Sequence, residues 1–373
     1  MIFFVFTSAE CNLSCTYCGN TPEDLCMPEK PTYDLSALIS FVADDPDPVF
    51  VFYGGEPLLN RPYVCKVMDA FPTATFVLQT NGTLLYTLPT PYLLRITCIL
   101  LSIDGRPETV DAYRGRGVFG KMEENIKDAR ERGYVGPVVA RMACSMKTDI
   151  YEDVHYLAYD CPIGFAAVYW QLDVEWDSPM NIRWGDFEGW MRQKYMTGIT
   201  RLFKEWCTHL EHRDIKVLVP FNTITEAYLD CTRISGADVV APRKGYLRCS
   251  AGHKAVSVTT DGRVLACPVA SGDSWNNLGK LTDKCCDLLG KRPLTGTCEV
   301  CEVREVCGGR CLYANQTLWW GDEGHALVCE LNKHLIGLCE AYAPQVQSML
   351  ERGEIAWDDF FFPSERYSLE IIP

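Results

Sequence analysis

Three of the chain's twenty cysteines crowd into Cys11-x3-Cys15-x2-Cys18, and seven more run in a spaced series from Cys249 to Cys329. Disulfide scaffolds also concentrate cysteine, but they are short and secreted, whereas this chain has 373 residues, of which 47% are hydrophobic. The apolar run Ile2 to Phe6 lacks the basic flank and the length of a signal peptide and reads as a buried first strand. In a reducing compartment, patterned cysteines bind metal, so two metal-binding regions are expected. The remaining ten cysteines are scattered, and Cys65, Cys98, Cys144, Cys161, Cys207 and Cys339 sit among apolar neighbours and read as small core hydrophobes.

Between these regions the chain alternates short apolar runs with stretches of helical periodicity. Strands are expected at Ile2–Thr7, Val49–Tyr53, Thr75–Gln79, Ile96–Ile103, Pro137–Cys144 and Ala166–Val174, and helices near Asp34–Ala43, Pro62–Ala70, Phe119–Arg132 and Tyr151–Asp160. Such alternation predicts an α/β fold with a parallel sheet curled into a partial (β/α)6 barrel. Trp184–His212 reads as a long helix and Val217–Ser235 as a connection; after about Arg243 the texture turns to Gly, Cys and short strands. The expected division is a barrel over 1–235, a cysteine-rich domain over 236–340 and an acidic, aromatic tail over 341–373 with Phe360, Phe361 and Phe362 in a row, which reads as a segment docked on its own domain in preference to a peptide-binding clamp. A net charge of -14 excludes a sequence-independent grip on nucleic acid, which needs clustered cations. No window reaches the roughly eighteen apolar residues of a membrane span, so a cytoplasmic protein is the expectation.

Cys11, Cys15 and Cys18 supply three thiolates on one loop, suited to three corners of an iron-sulfur cube with the fourth iron open. A zinc site, or three unpaired core thiols, are the competing readings; zinc would want a fourth ligand nearby, and Cys26 falls outside any usual spacing. C-x3-C-x2-C with Tyr17 before the last cysteine resembles the signature of the radical S-adenosylmethionine superfamily. The resemblance extends along the chain. Tyr53-Gly54-Gly55-Glu56-Pro57 resembles that family's methionine-binding turn, and Gln79-Thr80-Asn81-Gly82 its TNG segment. Ser102-Ile103-Asp104-Gly105, trailed by Asp111 and Arg114, is similar to the SxDG and D-x2-R segments of one branch. The resemblance implies cofactor contacts from Tyr17, Gly54, Gly55, Glu56 and Asn81, with Ser102 and Arg114 on the methionine carboxylate. Asp104 is either a ligand contact or a buried turn residue. Gln171, ending the sixth strand, faces the same cavity by topology.

Cys249, Gly262 and Cys267, then Cys298-x2-Cys301-x5-Cys307-x3-Cys311 and Cys329, resemble the SPASM domain, which carries two auxiliary [4Fe-4S] clusters. That resemblance implies three clusters in all. One auxiliary cluster would sit on Cys249, Cys267 and Cys311, and the other on Cys298, Cys301, Cys307 and Cys329. The first set lacks a fourth ligand, for which Cys231, Cys285, Cys286 or a substrate group are candidates. His253 reads as a loop neighbour of these cysteines.

By resemblance the chain is a peptide-modifying oxidoreductase. A 5'-deoxyadenosyl radical would oxidise or crosslink a peptide or protein side chain, anaerobically, with a low-potential donor such as ferredoxin or flavodoxin. Pro268 follows Cys267 where sulfatase-maturing relatives have an Asp base, which puts formylglycine formation in doubt. The first strand begins at residue 2, leaving no room ahead of it for a leader-recognition domain. Two other readings stand beside this one: oxidation of a small molecule in cofactor or natural-product biosynthesis, and an iron-sulfur electron carrier or redox sensor that never cleaves S-adenosylmethionine.

Overall fold

The computed structural model describes residues 1–18, 26–173, 184–229 and 247–361. Six parallel strands, β1 (Ile2–Ser8), β2 (Val49–Gly54), β3 (Thr75–Thr80), β4 (Ile96–Ser102), β5 (Val138–Cys144) and β6 (Ala167–Leu172), pair in sequential order. Each strand is added on the same side of its predecessor. Right-handed crossovers then place all the connecting helices on one face, and the sheet curls round its other face.

The two faces hold two cores, as the period of two along each strand dictates. Phe3, Val5, Phe50, Phe52 and Phe76 pack outward under α1 (Leu35–Val42), α2 (Arg61–Ala70), α3 (Pro107–Arg114), α4 (Val118–Glu131) and α5 (Ile150–His155). Phe4, Phe6, Val51, Tyr53, Val77, Leu100 and Tyr169 form a smaller core inside. With both faces buried, the strands read as unbroken apolar runs, which made all six legible.

The cysteine-rich part joins the same sheet. β7 (Ala255–Val258) runs parallel to β1, with Ile2 opposite Ala255 and Val5 opposite Val258, and β8 (Arg263–Leu265) and β9 (Asn277–Lys280) follow antiparallel to make nine strands. The expected division at 235 lies outside the described residues. The expected one at 340 falls inside a continuous helix: α8 (Gly321–Glu351), which follows α6 (Met196–Glu211) and α7 (Val219–Glu226) in the chain, runs straight through it.

Val217–Ser235 was expected to be a connection, yet its described part contains α7, every residue of which is buried. Pro220, Thr223 and Thr225 give that segment little helical propensity, so its helix depends on tertiary packing, here against α8. The tail docks as expected as far as it is described. Phe360 is fully buried with its ring 6.1 Å from Trp206, and its carbonyl accepts Asn222 Nδ2 at 2.9 Å; Phe362 lies outside the described residues. Among the described residues no helix is long and apolar enough to cross a membrane.

Candidate active site and its cysteine cavities

A cavity of about 940 Å³, counting its open mouth, lies at the C-terminal ends of the barrel strands. The loop after β1 brings Cys11, Cys15, Tyr17 and Cys18 to it. Gly54 and Gly55 come from the end of β2, Asn81 from β3, Ser102 from β4 and Gln171 from β6, and Arg114 from α3 closes one side.

The glycines are there because two backbones nearly touch. A Cβ on Gly54 would stand 2.0 Å from the Ser8 carbonyl oxygen, and one on Gly55 2.3 Å from that of Glu10. Gly54 also has φ +142, which an L side chain rarely adopts. Gly55 N–H donates to Ser8 O at 3.0 Å and Glu56 N–H to Glu10 O at 2.8 Å, lacing the end of β2 to the stem of the cysteine loop.

Glu56 and Asp104 do not line this cavity: both are fully buried, with their oxygens engaged by the protein, which for Asp104 is the buried-turn alternative. Glu56 accepts Leu58 N–H at 3.1 Å, Thr80 Oγ1 at 2.8 Å and Asn81 N–H at 2.9 Å. Burial pushes its carboxyl up to about 7, against these hydrogen bonds. It joins β2 to the end of β3, where Asn81 Nδ2 donates to Asn12 Oδ1 at 2.9 Å and stands 3.8 Å from Cys11 Sγ.

Asp104 receives Arg114 Nε at 2.8 Å and Nη2 at 2.9 Å, Tyr17 Oη at 2.9 Å and Ala143 N–H at 3.2 Å. The guanidinium also lies 5.6 Å from the Tyr17 ring centroid, and its Nη1 is 4.0 Å from Cys15 Sγ. Burial opposes the Arg114 charge, but Asp104, Tyr17 and Cys15 outweigh it and hold its pKa above the ordinary value. Burial pushes the Cys15 thiol up to about 11 even though Arg114 pulls the other way, and it raises Cys11 as well.

Two further cavities gather the seven patterned cysteines. Cys249, Cys267 and Cys311 line one, which shares Tyr53, Arg141 and Gln171 with the barrel cavity. Cys298, Cys301, Cys307 and Cys329 line the other, and Cys311 borders both. Among the described residues no three His, Cys, Asp or Glu side chains stand close enough to hold a single metal ion. Cys285 and Cys286, expected as candidate fourth ligands, are elsewhere: Cys285 Sγ is 3.9 Å from Met1 Sδ, and Cys286 is exposed beside Asp287. The physical reason is that their helical turn, which follows β9, packs at the start of β1 beside Met1 and away from the Cys249 cavity lining. Cys231 lies outside the described residues. His253 lines none of the three cavities.

Residues 5–155 match the model of the radical SAM superfamily, in which SAM is S-adenosylmethionine. They form a radical SAM domain. The superfamily implies a [4Fe-4S] cluster and S-adenosylmethionine, and the barrel cavity presents three sulfurs to receive the cluster, two of them with N–H donors in reach.

The likeness of fold extends beyond the radical SAM domain. Native anSMEcpe with bound AdoMet superposes with a TM-score of 0.70 at 18% identity, covering 93% of this chain and 99% of that one. anSMEcpe with bound AdoMet and Cp18Cys peptide gives 0.68 at 17%, with the same coverage. Streptococcus suis SuiB bound to precursor peptide SuiA gives 0.56 at 14%, covering 83% and 71%. Among curated proteins, Fe-coproporphyrin III synthase of Methanosarcina barkeri (strain Fusaro / DSM 804) is 30% identical over 128 residues. That match spans 33% of this chain and 32% of the relative, so about a third of the relative's length is represented.

Some lining residues were missed from sequence. Arg141 borders both the barrel cavity and its neighbour, and a lone arginine within the apolar strand Val138–Cys144 was the available signal. His325 sits one helical turn before Cys329, with Nε2 3.5 Å from Cys329 Sγ and 3.9 Å from Cys298 Sγ. Its i, i+4 spacing to a patterned cysteine on a helix could have found it.

Proposed function

We propose that this chain is a radical SAM oxidoreductase that modifies a peptide or protein side chain and carries three [4Fe-4S] clusters. Cys11, Cys15 and Cys18 would hold the first, Cys249, Cys267 and Cys311 the second, and Cys298, Cys301, Cys307 and Cys329 the third. A four-iron cube spreads its thiolates over its corners, so cysteines that share a cavity without converging on one point are compatible with it. The observation that carries the reading is that the barrel cavity adjoins the cavity of Cys249 and Cys267, with Tyr53, Arg141 and Gln171 lining both. A substrate held between them could reach both a radical source and an electron acceptor.

Cys11, Cys15 and Cys18 would hold the first cluster in the barrel, and with S-adenosylmethionine it would supply radical chemistry at an unactivated C–H bond. The chain's own residues position and shelter that chemistry. Ser102 presents a hydroxyl to the cavity. Arg114, its Nε and Nη2 spent on Asp104, keeps Nη1 as its donor on the side of Cys15. Gly54 and Gly55 bring backbone within reach of a small polar group, and the inner core of Phe6, Tyr53 and Tyr169 keeps water from the base of the cavity. The peptides present in the anSMEcpe and SuiB structures support a peptide substrate. Pro268 after Cys267 leaves no carboxylate at that position of the neighbouring cavity, which favours an oxidation or crosslink other than formylglycine formation.

A second reading, oxidation of a small molecule, is favoured by the match to Fe-coproporphyrin III synthase. One experiment separates the two. The protein, reconstituted anaerobically to about twelve irons per chain, is given reductant and S-adenosylmethionine, and 5'-deoxyadenosine is quantified with a peptide library or with a panel of free amino acids and tetrapyrroles. Acceleration by the library, absent in Cys18→Ala, supports peptide modification; acceleration by the small molecules alone overturns it. No 5'-deoxyadenosine from a fully loaded protein would favour the electron-carrier reading.

A further inference from the structure

Arg310 borders both cavities that gather the seven patterned cysteines, the one with Cys249 and Cys267 and the one with Cys298, Cys307 and Cys329. Cys311 is the other residue the two cavities share. The side chain is buried, with 6% of its surface exposed. Its backbone is unusual: in Cys307-Gly308-Gly309-Arg310 three successive residues have φ of +60, +76 and +55. Glycine carries the first two at little cost, and the third is a side chain held where L residues seldom go. The same tight turn puts Cys307 on one cavity and Cys311 on the wall between them.

A guanidinium is a permanent cation, so its charge in a poorly solvated wall acts on both cavities whatever the pH. We propose that Arg310 is a shared tuning residue for two iron-sulfur clusters, favouring the electron-loaded state of each and so setting both reduction potentials with one side chain. The inference rests on the reading of the seven cysteines as two cluster sites. Reduction adds one electron, and hence one negative charge, to a cluster already anionic through its thiolates. A fixed cation nearby lowers the free energy of the reduced form and takes up no proton. His325 offers a contrast, because it borders only the cavity of Cys298 and Cys329.

The test uses the full chain with Cys11, Cys15 and Cys18 all changed to Ala, so that only the two C-terminal sites report. Iron is quantified first, then each cluster is titrated with reductant under EPR in the parent, Arg310→Gln, Arg310→Lys and His325→Gln. Arg310→Gln is expected to lower the reduced-to-oxidised ratio of both clusters about tenfold at a fixed potential, equivalent to about 59 mV for a one-electron couple. Arg310→Lys should restore most of that loss, and His325→Gln should move one cluster only. A shift in a single cluster, or in neither, with about eight irons retained, overturns the shared role. A parent holding iron for fewer than two clusters overturns the two-site reading and this inference with it. Should Arg310→Gln load poorly, Arg310→Met removes the charge at similar length and supplies the same comparison.

Discussion

The carboxylate of Asp104 and the guanidinium of Arg114 meet in a two-pronged pair, Nε to Oδ2 at 2.8 Å and Nη2 to Oδ1 at 2.9 Å, behind the wall of the barrel cavity. Tyr17, one residue before Cys18, donates to the same carboxylate, so a single buried anion sets both the cysteine loop and the cation beside it. Removing that anion leaves Arg114 charged and buried. Asp104→Asn is expected to cost about 3–5 kcal/mol, read as a lower denaturant midpoint, and to reduce iron bound at Cys11, Cys15 and Cys18. An unchanged midpoint would mean that the pair contributes nothing net.

Glu56 predicts a pH dependence. Its carboxyl is raised from 4.5 to about 7 by burial, so between these values the folded protein holds a proton that the unfolded chain releases. Stability should therefore be full below about pH 4.5 and fall as pH rises to about 7, by at most about 3 kcal/mol. Glu56→Gln, neutral at every pH, should flatten that slope. Urea midpoints of wild type and variant at about pH 5 and about pH 8 check it, and parallel slopes would refute the assignment.

Two glycines with positive φ should behave differently. Gly54→Ala drives a methyl into the Ser8 carbonyl, a backbone atom that cannot step aside, and is expected to abolish iron binding at the first site or folding itself. Gly117→Ala, with φ +81 and no atom within 4 Å of the added carbon, should cost only about 1–2 kcal/mol of backbone strain and keep its iron. Iron content and thermal melts of the two variants distinguish these outcomes.

Phe360 ties the end of the described chain to α6 and α7 through Trp206 and Asn222. Phe360→Ala empties a fully buried site and should cost about 3–5 kcal/mol. Phe361, 40% exposed, should tolerate Ala with little change. Equal effects at the two positions would argue against the docking seen here.

The barrel was legible because its signals are local. Unbroken apolar runs mark strands buried on both faces, and the glycine turn after β2 and the cysteine loop after β1 fall at strand ends, where a barrel collects its site. The resemblance to the SPASM pattern, not spacing alone, put Cys311 with Cys249 and Cys267, with which it shares a cavity, although it also borders that of Cys298, Cys301, Cys307 and Cys329. Sequence could not settle whether a charged residue faces ligand or supports what does, because Glu56 and Asp104 lie beside the same motifs as Gly55 and Ser102. Their burial depends on strands brought together from elsewhere in the chain.

The residues that the sequence by itself determined are those whose role follows from chemistry and spacing along the chain: three thiols on one loop, glycines at a tight turn, alternating strands and helices. Tertiary structure alone decided that β7 joins β1 across more than 250 residues, that Arg141 stands between two cavities and Arg310 between two, and that α7 is a helix at all. These outcomes rest on long-range burial, which removes residues distant in sequence from water together and leaves no periodic trace in the segment concerned.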